Sequence, residues 1–175
     1  KYLAESPKSP IKAAAIVCAP LHLASCSQRI NRGTSKIYQR YLINMLKQST
    51  LTKIKMNLLP QFAKEDILAL KTIYDFDNLV TAPINGYEDA DDYYKSASGQ
   101  SVIGDIKHPM LIIHAKDDPF LSHEDIININ EKNDNISFEI CSHGGHVGFI
   151  SGKSPFKPVY WLEQRVPNFL KAYLT

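Results

Sequence analysis

Ile11 to Ala19 (IKAAAIVCA) is a short apolar run closed off by Pro10 and Pro20. It is too short for a free helix and suits a strand buried on both faces, the mark of a parallel sheet. From His22 to about Leu59 the pattern changes to a helical period, with Ile37, Tyr41, Met45 and Leu46 at i, i+4, i+8 and i+9. Gly33 and Thr34 predict a break between two helices there. Glu65 to Tyr74 (EDILALKTIY) predicts another short helix, and Tyr87 to Ser98 a further one, introduced by the turn dipeptide Asn85-Gly86.

Two strong strands follow. Met110 to Ala115 (MLIIHA) is introduced by Pro109, and Ile136 to Cys141 (ISFEIC) by the turn-like Asn133-Asp134-Asn135. Ser122 to Lys132 leaves room for one helix between them, so strand, helix and strand fit a right-handed crossover in a parallel sheet. A last helix from about Val159 to Leu174 offers Trp161, Leu162, Val166, Phe169, Leu170 and Tyr173 to cover the sheet, with a kink expected at Pro167. The class is α/β, without internal repeats, and residues 1 to 175 read as a single domain. The helical stretch over about 21 to 100 is long for a simple crossover and reads as a cap-like insertion over one end of the sheet.

Composition narrows the class of function. A chain of 175 residues with 44% hydrophobic and 22% charged residues can bury a core and is not disordered. Twenty Lys and Arg against 18 Asp and Glu leave a net charge of +2. The basic residues read as scattered rather than gathered into one stripe, so no nucleic-acid partner is expected. The strongest apolar run, Ala13 to Ala19, falls far short of the ~20 residues of a membrane helix. Cys18, Cys26 and Cys141 are odd in number and not in CxxC spacing, which favours free thiols in a reducing compartment and a cytoplasmic location. Lys1 to Glu5 reads like the tail of a helix, so the chain reads as a fragment.

In doubly wound sheets, reactive side chains gather at the carboxyl ends of the strands. After MLIIHA comes Lys116-Asp117-Asp118-Pro119-Phe120, and after ISFEIC comes Ser142-His143-Gly144-Gly145-His146. A hydrolytic reading gives both groups a role: an Asp orients a His, and the His takes a proton from a nucleophile and returns it to the leaving group. Adjacent acids at a strand end read equally well as an N-cap and a solvated turn. His143 and His146 read alternatively as a metal pair, working with the Asp pair, or as plain loop residues, but thiolate partners at zinc spacing are missing. The glycines between them allow a tight bend beside a reacting group.

LIIHAKDDPF, HGGHVGFISG and YWLEQRVPNFL resemble the C-terminal third of the YheT-like branch of the α/β-hydrolase fold. INRGTSKIYQRYLINMLK and DFDNLVTAPINGYEDADDYYKSAS resemble the segments that precede them, so the likeness runs nearly from Pro10 to Leu174. The resemblance implies the C-terminal half of an α/β-hydrolase fold and a serine hydrolase of carboxylesterase type with a Ser-Asp-His triad and no metal. It implies His146 as the base and one of the Asp pair as the acid, Asp118 favoured and Asp117 the alternative, with His143 behind them.

The serine itself is missing. A nucleophile elbow needs GxSxG on a sharp strand-to-helix turn, and the Gly-x-Ser triplets at Gly33, Gly99 and Gly152 lack both the closing Gly and a preceding strand. The family's arrangement puts the serine a few residues before Lys1, and the oxyanion loop earlier still. The chain alone is therefore expected to be inactive. Its sheet would be completed by the missing N-terminal half of the same enzyme or by a partner chain. The alternative is a truncated, non-catalytic hydrolase-fold binding module. The expected substrate is a small-molecule ester.

Other features carry less. Tyr87 to Tyr94 reads as a solvated helix face with buried tyrosines rather than a calcium loop. Arg29, Arg32 and Arg40 read as surface charge rather than an anion site, and Cys141 is a weak candidate nucleophile beside His146. No nucleotide fingerprint is present, so no cofactor is expected.

Overall fold

The structure is a computed structural model that describes residues 1–121, 133–152, 154 and 156–174. Three strands, β1 (Ala14–Val17), β2 (Met110–Ala115) and β3 (Ile136–Cys141), form a parallel sheet in the order β1-β2-β3. Ala14 pairs with Met110 and Met110 with Ile136, so all three strands start level. Every residue of β2 is buried, which is why its sequence is an unbroken apolar run apart from His114. β1 is shorter than the run from Ile11 to Ala19. Cys18 still donates its N–H to Ile113 O at 2.9 Å, but its φ of 48° turns the chain out of the sheet.

Each face of the sheet has its own core. Met110 and Ile112 pack with Leu3 of α1 (Tyr2–Glu5), with Ile103 of a 3-10 helix (Gly99–Asp105) before β2 and with Ile106 just after it. Leu111, Ile113 and Ala115 pack on the other face with Leu121 and Phe149, and with Trp161, Leu162, Val166 and Phe169 at the C-terminal end.

The stretch between β1 and β2 is helical, as its period predicts. α2 (Leu23–Ile30) and α3 (Ser35–Lys55) are separated at Gly33, whose φ is +54°. The predicted helix from Glu65 to Tyr74 is two: α4 (Lys64–Ala69) ends, and α5 (Ile73–Phe76) starts anew. Thr72 and Asp75 form a reciprocal capping box there, which satisfies the orphan N–H groups of a new helix start. A wide turn (Asp77–Thr81) and α6 (Ala82–Ile84) lead to α7 (Ala90–Ala97), capped by Asp89, which accepts from Asp92 N at 2.8 Å. Ile43, Ile67, Leu70, Phe76 and Val80 hold this helical layer together.

The period of α3 is helical, but of its apolar row only Leu46 packs on the core. Ile37, Tyr41 and Met45 are exposed, while Ser35, Gln39, Ile43 and Thr50 are buried. The buried polar residues are held by bonds instead of apolar burial: Ser35 Oγ donates to Pro119 O at 2.7 Å, and Gln39 Nε2 to Asn31 Oδ1 at 3.1 Å.

At the other end, the helix expected from Val159 begins later. Val159 and Tyr160 form β5, paired antiparallel with β4 (Ile150–Ser151), and α8 spans Leu162–Lys171 with Pro167 inside it. Arg165 of α8 makes a two-pronged ion pair with Glu139 of β3. The helix expected at Ser122 to Lys132 lies outside the described residues. Among the described residues no helix is long and apolar enough to cross a membrane.

Candidate active site

The site forms where β2 and β3 end side by side. Leaving β2, the chain turns tightly, with Lys116 N donating to Cys141 O at 2.9 Å and Asp118 N to Ala115 O at 3.3 Å. That turn carries Asp118 inward: its side chain is wholly buried, and Oδ1 accepts from Phe120 N at 2.8 Å. Oδ2 lies 3.0 Å from His146 Nδ1. A buried carboxylate on Nδ1 fixes that nitrogen as the N–H donor and leaves Nε2 as the nitrogen open to proton exchange.

Asp117 points the other way and does different work. Its Oδ1 accepts from Gly144 N at 2.9 Å and Gly145 N at 2.8 Å, so it clamps the loop that carries His146. The Gly145 N–H, helped by that of Gly144, holds its carboxyl below the usual carboxylate range. His143 stands 3.7 Å from Asp117 Oδ2 with a side chain 90% exposed. Of the acid pair, the structure brings Asp118 to the His146 ring and Asp117 to the backbone of Gly144 and Gly145 just before it.

The loop closes on itself without room to spare. Gly148 N and Phe149 N both donate to Gly144 O, at 3.1 and 3.0 Å. A Cβ on Gly144 would sit 2.6 Å from the Phe149 ring and 3.0 Å from Ala115 Cβ, so only glycine fits. Val147 and Phe149 hold φ values of 60° and 44°, a conformation that bulky residues rarely take and that the surrounding bonds must enforce.

His146 opens onto a cavity of about 540 Å³. Its walls are mainly apolar, with Leu23, Ile30, Tyr41 and Leu42 from the helical layer and Phe120 and Leu121 from the β2 turn. Phe120 meets the His146 ring edge-on at 4.6 Å between centroids and meets Tyr38 of α3 at 5.1 Å. The helical layer thus forms one side of the cavity and the sheet supplies the titratable groups.

Two residues near the site went unnoticed in the sequence. Cys18 directly follows β1, and its Sγ, an Asp118 oxygen and a His146 nitrogen all lie within 4.8 Å of one another. These three are the set of possible metal ligands among the described residues, rather than the His143–His146 pair. Burial, reinforced by Asp118, pushes the Cys18 thiol up to about 11, so it stays protonated at neutral pH and is a poor nucleophile. The signal for Cys18 was its place at a strand end. His114, inside β2, is the second. Burial, with His146 adding to it and Asp118 opposing it, pushes its imidazole down to about 4.

The weaker candidates resolve into structure. Arg29 Nη1 donates to Ser35 Oγ at 3.2 Å, while Arg32 and Arg40 are exposed. The Tyr94 hydroxyl donates to Asp77 Oδ2 at 2.7 Å, and burial pushes it well above its ordinary range. Asp89 and Asp92 bond to the backbone around α7, so the acidic-aromatic run builds a helix start. The Cys141 thiol is pushed up by burial and by Glu139, which disfavours its thiolate.

No family model matches the chain. YheT of Escherichia coli K12, described as a candidate esterase, is 42% identical over 167 residues, covering 94% of this chain and 48% of that protein. Phospholipase ABHD3 of Mus musculus is 30% identical over 166 residues, covering 94% of this chain and 40% of that protein. Among solved structures, the Pyrococcus furiosus esterase Pf2001 aligns over 99% of this chain and 48% of its own, at a TM-score of 0.48 and 15% identity. The chain spans about half the length of the curated relatives it matches.

Proposed function

The chain belongs to the YheT-like branch of the α/β-hydrolase fold over the stretch it spans, and on that premise we propose that it supplies acid and base to a serine hydrolase of carboxylesterase type. The observation that carries the reading is the 3.0 Å contact between His146 Nδ1 and the wholly buried Asp118, beside an apolar cavity. The serine comes from sequence upstream of Lys1.

In this reading the serine Oγ bonds to the ester carbonyl carbon while its proton passes to His146 Nε2. Asp118 keeps Nδ1–H directed and stabilises the imidazolium that forms. His146 then gives the proton to the departing alkoxide, which leaves as the alcohol, and an acyl-serine remains. A water attacks that acyl group, loses its proton to His146, and the carboxylic acid is released as the serine regains a proton. Asp117 and the Gly144–Gly145 backbone hold His146 in place for both halves.

The cavity volume is in the range of small-molecule sites, and its apolar walls suit the acyl part of an ester. The names of the relatives support an ester of lipid type: they include phospholipases and, at 29% identity, the monoacylglycerol lipase of Saccharomyces cerevisiae.

The test is turnover of p-nitrophenyl butyrate and laurate by the full-length protein. His146→Ala should lower kcat by about a millionfold, and Asp118→Asn by about ten-thousandfold, with thermal melts unchanged for His146→Ala. Turnover equal to wild type in either variant would overturn the assignment.

A further inference from the structure

α3 presents an apolar face outward and carries only one sign of charge. Ile37, Tyr38, Tyr41, Leu42 and Met45 are all exposed, Ile37 at 69%. At 100° per residue they share one broad side of the helix, which adjoins at Leu42 the buried side of Ser35, Gln39, Ile43 and Thr50. Lys36, Arg40 and Lys47 fall on one flank of that side. From Arg29 to Lys64 the chain holds eight basic residues and no acidic one, so the basic residues are more gathered than the overall charge suggests. The apolar face also runs into the site: Tyr38, Tyr41 and Leu42 line the cavity that His146 opens onto.

We infer that this face of α3 docks on an anionic lipid surface, and that the His146 cavity takes its substrate from there. The inference rests on the ester-hydrolase reading only for its second half. A helix with aromatic and aliphatic residues on one side and a basic flank is the form that lies in a membrane interface, with its apolar side among the acyl chains and its cations at the headgroups. Arg29 and Lys47 are engaged by Ser35 Oγ and Leu68 O, and the exposed Lys36 and Arg40, with no acid near them in sequence, complement phosphate headgroups. The helix has 21 residues and is about 30 Å long, so the face from Ile37 to Met45 can enter the interface while the sheet stays in water. A lipid held there has its acyl chain level with the cavity mouth, so entry exchanges one apolar surface for another.

The experiment is co-sedimentation of the full-length protein with two vesicle preparations, phosphatidylcholine alone and equimolar phosphatidylcholine and phosphatidylglycerol. The wild type should sediment with the mixed vesicles and stay in solution with the neutral ones, and added salt should release it. Lys36→Ala and Arg40→Ala should each weaken binding about fivefold. The double variant Ile37→Asp/Met45→Asp should weaken it by about tenfold or more while leaving turnover of dissolved p-nitrophenyl butyrate unchanged. Equal sedimentation of wild type and variants, or none with the mixed vesicles, would overturn the inference. So would a large fall in melting temperature or a change of oligomeric state in the double variant, because the face would then be covered by the rest of the protein or by a second copy. Sedimentation needs no turnover, so an inactive protein that binds vesicles refutes the hydrolase reading alone, and an active one that ignores them refutes the docking alone.

Discussion

His114 should make the protein acid-sensitive, and the size of the effect follows from its surroundings. The side chain is 1% exposed in the central strand, and among the described residues neither ring nitrogen has a hydrogen-bond partner. Its imidazole is pushed from 6.5 in the unfolded chain to about 4 in the folded one, chiefly by burial. Above pH 6.5 both states are neutral and His114 has no effect on stability. Between pH 6.5 and 4 the unfolded chain binds a proton that the folded chain refuses, so stability falls as the pH falls. Below about 4 both states are protonated and the loss is complete. At about 1.4 kcal/mol per tenfold, the full loss is about 3 kcal/mol. His114→Leu removes the titrating group and two unpaired polar atoms while keeping the strand apolar. Urea unfolding of both proteins at pH 7.5 and pH 4.5 isolates the effect, because the carboxylates titrate in both and cancel. The stability difference should shift in favour of His114→Leu by about 2 to 3 kcal/mol on acidification. A difference that does not change with pH would mean that the folded protein accepts the proton, and the argument from burial would be wrong.

The other predictions concern the loop. Gly144→Ala should lower stability by about 1–3 kcal/mol in a thermal melt and reduce ester turnover with it, because the new Cβ must displace Phe149 or the loop itself. Asp117→Ala removes the acceptor for two loop N–H groups and should lower kcat by about a hundredfold with KM little changed, the pattern of a displaced base. His143→Ala should leave turnover within about twofold of wild type, since an exposed contact to Asp117 contributes little. A loss in His143→Ala as deep as in Asp117→Ala would show that the clamp works through the imidazole.

The central strand was legible because burial on both faces leaves His114 as its one polar position, whereas AAIV is apolar although its four residues are only half-buried. The meeting of an acid with a histidine was legible because Asp117-Asp118 and His143 to His146 follow the ends of neighbouring strands. Which Asp meets the ring was not legible from spacing: it depends on the Asp118 N to Ala115 O turn, which aims neighbouring side chains in opposite directions. Which face of α3 is buried was not legible for a related reason. Its buried side is anchored by Ser35 and Gln39, whose partners Pro119 and Asn31 become neighbours only on folding. The break at Thr72 was hidden because a capping box costs no apolar residue. The late start of α8 depends on pairing between β4 and β5, which no local pattern announces.

The bond from Ser35 to Pro119 O ties the start of α3 to the residue that follows Asp118. Arg29 supports it from α2, so one hydroxyl couples the helical layer to the turn that bears the acid. For protein engineering this makes the helical layer a poor interchangeable module. A graft of the corresponding region from a relative, chosen to change which acyl groups fit, would carry its own first turn of α3 and could shift Asp118 along with the pocket wall. A chimera that keeps Arg29 and Ser35 and takes foreign sequence only beyond Gln39 leaves that coupling intact and alters the cavity alone.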